Sequence, residues 1–306
     1  MTSFTAIYDL KRAPITFDFG TYLALIDCYR QLKGHHSINL IIKAGAFRKL
    51  TPRDLGMPVP EKQWRLKNII LDCCELLPSI LDIQVVRSDT DCGQNIDFPE
   101  NYLKDPASLK RFPYYASDLY PFFNKGAQPR VFKAPEHAFT LIQNITRSPY
   151  ITLTIRTSRH FSSRNVDLED WYMFYRYLRE SGYTVFVVPD QEDVFSARQF
   201  ENYDWQAYEP ASLDIRIRAA LYERALLNIC STNGPTYMMF FSDAPLLAFD
   251  QFRGELFKPE DLKKMLGLSP GEIWPWSGPH QRFTWQDSDF KSLVREFKEF
   301  KARMRI

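Results

Sequence analysis

"NICSTNGPTYMMFFSDAPLLAFD", residues 228–250, is the stretch whose reading decides the fold. Its first residues continue an apolar run from Leu226 and "PLLAFD" is a second such run, so two buried strands flank a polar knot and a short helix. The knot is Ser231, Thr232, Asn233, Gly234 and Pro235, followed by Thr236. A plain crossover turn needs one Gly or Asn, not this run. Pro235, with its φ fixed near the helical value and no N–H to lose, suits the first helical position, and Asn233 or Gly234 then serves as N-cap. The amides of Thr236, Tyr237 and Met238 are expected to point out of the helix start, where they and the helix dipole favour an anion. Gly234 permits close backbone approach, and Thr232 and Thr236 offer hydroxyls. Such a knot lies beyond the carboxyl end of its strand, where parallel α/β sheets bind ligands. The plainer alternative is a well-capped β–α turn that binds nothing.

Outward from the knot the same rhythm continues. "YITLTIR" (150–156) reads as a strand, Asp167 caps a helix carrying Trp171, Phe174 and Leu178, and Gly182 closes it. "YTVFVVPD" (183–190) is the next strand, and the helix "SLDIRIRAALYERA" (212–225) leads back to the knot. The loop "RTSRHFSSRN" puts Arg156, Arg159 and Arg164 on the same sheet edge, and a guanidinium matches phosphate geometry well. Arg156 is the foremost phosphate ligand, while Arg159 reads as solvated. His160 is the one histidine placed to touch a ligand there. Asp190 closes its strand where a carboxylate can meet a ribose or sugar hydroxyl, or makes a Pro-Asp turn; Glu223 enters the same site or faces solvent.

The first half also alternates, with strands "FTAIYDL" (4–10), "SINLIIKAG" (37–45) and "LDIQVVRS" (81–88) separated by helices from Phe19 to Gly34 and over 61–77. That order predicts a parallel sheet covered on both faces. Residues 89–130 are dense in Pro and aromatics, as a packed irregular segment would be. The expected domains are 1–130, 131–285 and an amphipathic helix over 286–306. That helix, capped by Ser288, carries Phe290, Leu293, Val294, Phe297 and Met304 on one side and basic residues elsewhere; it packs back on the first domain or lies on an anionic membrane.

Composition excludes several classes. In 306 residues, 39 Lys and Arg oppose 37 Asp and Glu for a net charge of +2, so no nucleic-acid partner is expected. The five cysteines form no CxxC pair, and with no clustered ligands no metal site is expected. With no signal peptide and no 18-residue apolar run, the reading is a cytoplasmic protein, with peripheral membrane contact through the last helix as an addition.

Strand–Arg, helix, strand–"PD", a helix with "LYERA", strand and "STNGPTYM" together resemble the nucleotide-sugar half of GT-B glycosyltransferases, over roughly residues 130–285. The knot is similar to the "TGP" or "SGP" turn of bacterial heptosyltransferase-like enzymes, and the Arg after a strand to that of the protein and Nod-factor fucosyltransferases. The resemblance implies two Rossmann-like α/β domains with parallel sheets. It also implies a donor diphosphate held on Thr232, Asn233, Gly234, Pro235, Thr236 and Arg156, with Arg164, His160, Asp190 and Glu223 toward donor sugar or nucleoside. The nucleotide-sugar is then a substrate, with no further cofactor, and the acceptor is a glycan or lipid-linked. Transfer in the cleft between the halves would be inverting and metal-independent, with Asp9, at the end of the first strand, ranked ahead of Asp18 as base. Asp18 also reads as a helix cap. Two departures stand out: the histidine before the fucosyltransferase arginine is Thr154 here, and the heptosyltransferase histidine after Gly-Pro is missing. A nucleotide-sugar epimerase or hydrolase, or a sugar-nucleotide-binding protein without turnover, remains as an alternative.

Overall fold

β-Branched runs separated by amphipathic helices give parallel strands, because each helix returns the chain to start the next strand in the same direction. The computed structural model describes residues 2–92, 95–104, 111–158, 162–191, 194, 202–250 and 258–304. It divides into one unit of Met1–Phe132 with Met265–Gly267 and a second of Lys133–Lys264 with Leu268–Ile306.

In the first unit β1 (Ser3–Asp9), β2 (Ser37–Lys43) and β3 (Ile80–Val86) pair in parallel in the order β1-β2-β3. Helix α1 (Asp18–Lys33) ends at Gly34, whose left-handed φ of 71° turns its amide back onto the last carbonyls. Tyr8 of β1 packs on Phe19 and Tyr22 of α1 at 4.6 and 4.9 Å between ring centroids. The helix expected over 61–77 is instead α2 (Val59–Arg65), a π-helical stretch Leu66–Leu71 and a closing turn Asp72–Cys74, which bury Ile69, Ile70, Cys73 and Cys74. The aromatic segment after β3 is packed: Phe112 meets Tyr8 edge-on at 5.7 Å, and Phe98 bridges β1 through Ala6. The expectation of a sheet covered on both faces fails at β3, where Leu81, Ile83 and Val85 are exposed on the outermost strand.

The second unit holds α3 (Glu136–Ile142), β4 (Tyr150–Thr154), α4 (Leu168–Glu180), β5 (Thr184–Val188), α5 (Ile215–Arg224) and β6 (Leu227–Ser231). The chain continues with α6 (Thr236–Phe240), β7 (Leu246–Phe249), α7 (Pro259–Leu266, its last two residues counted with the first unit), β8 (Gln281–Phe283) and α8 (Phe290–Met304). Its five strands are all parallel in the order β5-β4-β6-β7-β8. From β4 the chain steps outward to β5, then returns past β4 to β6, so the direction of winding reverses between β4 and β6. Asp167 caps α4 by accepting from the amides of Glu169 and Asp170. The helix buries Trp171, Phe174 and Leu178 against Ile151, Leu153, Val185 and Val187.

Helix α8 packs on the core of its own unit. Leu293, Phe297 and Phe300 are buried in the second unit's core, with Phe297 6.0 Å from Phe174 and 5.7 Å from Tyr183 between centroids. The same burial takes Leu293, Phe297 and Phe300 away from the apolar face that a flat-lying membrane helix would present. The cap is Asp289, which accepts from the amide and hydroxyl of Ser292, rather than Ser288. Among the described residues no helix is long and apolar enough to cross a membrane.

Candidate functional site

The reversal between β4 and β6 opens the carboxyl edge of the second sheet there, because the loops after these two strands leave in opposite directions. One loop carries the arginines and the other is the knot. Arg164, half-buried on a short 3-10 turn (Ser162–Arg164), donates from Nη2 to the Thr232 carbonyl at 3.0 Å and so fastens the two loops together. Arg156 is buried and donates from Nη1 to Asn165 Oδ1, while Asn165 Nδ2 reaches the Ser158 carbonyl at 3.0 Å. The expected ranking is therefore reversed in geometry: Arg164 meets the knot, and Arg156 ties its own loop together. Thr154, where the fucosyltransferases have histidine, is buried against the hydroxyl of Tyr222 at 2.7 Å and belongs to the core.

The knot is more self-contained than a bare helix start. Asn233 Oδ1 accepts from the Thr236 amide at 3.0 Å and from its hydroxyl at 2.6 Å, so Asn233 is the functional cap. Pro235 stands one position before the five-residue α6, and its carbonyl accepts from the Met238 amide at 3.1 Å. Two of the three amides expected to face an anion are thus engaged, which corrects the expectation of an open anion site at this helix start. The Thr232 hydroxyl is shared between the carbonyls of Phe249 and Asp250 at 3.0 and 2.9 Å, an anchor rather than a donor to ligand. Half-buried Gly234 lies in the same turn.

Asp250 is the residue that sequence reasoning passed over. It closes β7 as Asp190 closes its strand, which was the available signal. Its φ is 57°, a left-handed conformation that Asp tolerates better than most residues. Its buried carboxylate accepts from the Ser288 amide at 3.0 Å and from the Ser288 hydroxyl at 2.5 Å, so knot, strand end and the start of α8 form one hydrogen-bonded assembly. Behind the knot, burial pushes the Cys230 thiol up to about 12, so it stays protonated and unreactive.

Asp190 is half-buried just beyond β5, on the same edge. Glu223 is not. It sits at the end of α5, before β6, so the length of that strand, about 13 Å at 3.3 Å per residue, separates it from the knot. Its Oε1 accepts from the Ala134 amide, and burial raises its pKa. Glu223 fastens the entry to the second unit and is removed from the ligand candidates. Arg159 and His160 lie outside the described residues. Among the described residues, no three His, Cys, Asp or Glu side chains gather as a metal ion would require.

In the first unit both candidate carboxylates follow β1. Asp9 is buried, accepts from the Tyr102 hydroxyl at 2.8 Å and the Lys11 amide at 3.0 Å, and pairs with Lys43 Nζ at 3.7 Å. With both oxygens engaged, it braces the ends of β1 and β2. Asp18 is half-buried and accepts from the Thr16 hydroxyl through Oδ2 at 2.6 Å. It does not cap α1, whose N-cap is Phe17 with no side-chain bond.

The two parallel α/β units have the GT-B fold of two-domain glycosyltransferases. Among solved structures, a glycosyl transferase family 9 protein from Veillonella parvula DSM 2008 superposes with a TM-score of 0.59 at 11% identity, over 99% of this chain and 97% of that one. The ADP-heptose lipopolysaccharide heptosyltransferase II of E. coli gives 0.53 at 10% identity with both chains fully covered. E. coli heptosyltransferase WaaC with ADP gives 0.50 at 13% identity, over 98% of this chain and 100% of that one. No family model matches the sequence, and no curated protein does.

Proposed function

We propose that the protein is a glycosyltransferase that takes a sugar from a nucleoside-diphosphate donor and passes it to a glycan or lipid-linked acceptor. The observation that carries this reading is the pairing of the arginine loop with the knot, through Arg164 and Thr232, across the β4/β6 reversal of a parallel sheet. A guanidinium beside a Gly-containing turn at such an edge suits a diphosphate. The ADP bound by a protein of similar fold makes a nucleoside diphosphate the first ligand to try. Arg164 and Gly234 are assigned to the diphosphate and Asp190 to a donor hydroxyl, while Arg156 holds the arginine loop in shape. Asn233, Thr232, Thr236 and Pro235 hold the turn in shape.

Transfer is proposed to be inverting and metal-independent, with Asp18 as the acceptor base. Asp18 is preferred to Asp9 because Asp9 has its lone pairs committed to Tyr102, Lys43 and the Lys11 amide. The five cysteines are buried and free, which suits a reducing compartment, and a cytoplasmic location is proposed.

The test is a thermal-shift panel of UDP, GDP, ADP and CMP, followed by nucleotide release from the matching nucleotide-sugars with and without EDTA. A ligand at one hundred times its Kd stabilises by about 2.7 kcal/mol, which a melting curve resolves. The expected result is a shift with one diphosphate and turnover that survives EDTA. A protein that no nucleotide shifts is not a nucleotide-sugar enzyme, and one that binds but never turns over is a sensor.

A further inference from the structure

The segment that follows β2 holds three large aliphatic side chains in the open: Leu50, Leu55 and Val59 are 75%, 66% and 56% exposed. Apolar residues scattered singly over a surface are ordinary, but three in one short segment mark a contact surface. The segment is also firmly built. Thr51 caps the short helix Pro52–Gly56 by accepting from the Asp54 amide. The buried Asp54 carboxylate accepts from Arg48 Nε and Nη2 at 2.9 and 3.1 Å and from the amides of Leu50 and Thr51 at 3.1 and 2.9 Å. From α2, Lys62 Nζ closes the turn by donating to the Asp54 carbonyl at 2.7 Å. Backbone fixed in this way keeps the aliphatic tips in water until something covers them.

The charge on the segment selects the partner. Arg48, Lys49, Arg53, Lys62, Arg65 and Lys67 stand against Asp54 and Glu61, and both acids are already held, Asp54 by Arg48 and Glu61 by Arg65 at 3.0 Å. Lys49 and Lys67 are exposed, with no acidic partner among the described residues. Aliphatic tips among unpaired lysines suit the headgroup layer of an anionic bilayer, where apolar burial and charge attraction add. A protein partner fits less well, because binding hot spots favour Trp, Tyr and Arg and are poor in Leu and Val. We infer that residues 49–67 dock the protein on an anionic lipid surface, with Leu50, Leu55 and Val59 entering the interface and Lys49 and Lys67 at the headgroups. The purpose of that contact rests on the proposed function. The Arg48 amide donates to the Leu10 carbonyl at 2.6 Å, so the segment leaves the same edge of the first sheet as the loop carrying Asp18. A lipid-linked acceptor held at that edge keeps its anchor in the bilayer that the segment touches.

The experiment is co-sedimentation of the full chain, without nucleotide, with vesicles of phosphatidylcholine alone and of phosphatidylcholine mixed with phosphatidylglycerol. The parent is expected to sediment with the mixed vesicles, less with phosphatidylcholine alone, and less as salt is raised. Leu50→Ser combined with Leu55→Ser is expected to lower the partition coefficient by about tenfold or more. Lys49→Glu combined with Lys67→Glu is expected to lower it by about tenfold or more on the mixed vesicles and to flatten the salt dependence. All four positions are exposed, so both variants are expected to melt like the parent and to match it in the nucleotide panel. Because vesicle binding is read without nucleotide, a protein that no nucleotide shifts defeats the donor reading and leaves the docking result standing. A parent that stays in the supernatant with the mixed vesicles at low salt overturns the inference. Equal sedimentation with both kinds of vesicle overturns it as well, as does a Leu50→Ser, Leu55→Ser protein that sediments like the parent.

Discussion

Arg164 and Arg156 are eight positions apart and do different work. The first reaches the knot, and the second holds its own loop through Asn165. Arg164→Ala is expected to weaken nucleoside-diphosphate binding by about 1.5 to 3 kcal/mol, the scale of a charge-assisted hydrogen bond, with a melting temperature close to the parent's because the side chain is half-exposed. Asn165→Ala is expected to lower the melting temperature, because it strips the buried Arg156 guanidinium of a partner. Calorimetric titration alongside a melt separates the two, and an Arg164→Ala protein that binds every diphosphate like the parent removes Arg164 from the site. A second residue sets acid stability. Burial by itself would raise the Asp54 pKa, but the paired hydrogen bonds and charge of Arg48 outweigh it and bring the carboxyl below its usual value. A folded-state pKa below the unfolded one gives stability that is present above about pH 3.9 and lost as pH falls through the folded value. Asp54→Asn is expected to be less stable at neutral pH and to show a flatter acid limb, read from melts at decreasing pH; an unchanged limb would mean that other carboxylates govern it.

At the scale of elements, what was legible in the sequence was the existence of an apolar face, and what was not was the surface that meets it. The spacing of Leu293 and Phe297 declares a buried stripe. A stripe is equally served by a core, a neighbouring domain or a lipid surface, and the core is what α8 uses. The knot shows the same limit. Its residue types announced a tight β–α turn, but they could not reveal that Asn233 would satisfy the Thr236 amide, because one side chain can cap or bind and composition does not choose. Glu223 was misplaced for a different reason. Helical periodicity does not fix which end of a helix faces the ligand edge until the strand that follows is located. Phe297→Ala is expected to cost about 3 to 5 kcal/mol, since it empties a site packed by Phe174 and Tyr183. The parent is expected to show no binding to anionic liposomes through this helix. A variant that melts like the parent, or liposome binding that Phe297→Ala abolishes, would restore the membrane reading.

On the scale of the whole molecule, each unit has its own parallel sheet, and the second has a core closed from β4 to α8. Every residue assigned to the donor diphosphate lies on the second unit, whereas Asp18 lies on the first. The alternation of strands and helices made this division readable, because each crossover reports a parallel pair. Strand order was not readable, since nothing local says that β6 returns past β4, and that return is what opens the carboxyl edge proposed for the donor. Binding and transfer are therefore expected to be separable. A chain of residues 133–306 should melt cooperatively, because its core residues are its own, and should retain nucleoside-diphosphate affinity within roughly tenfold, about 1.4 kcal/mol, of the full chain. It should transfer no sugar to acceptor, having lost the proposed base. In the full chain, Asp18→Asn should keep the same nucleotide affinity while transfer falls by about 100-fold or more, the scale of general-base loss. If the shorter chain folds yet binds no nucleotide that the full chain binds, the donor site draws on the first unit, and the assignment to the β4/β6 edge alone is wrong.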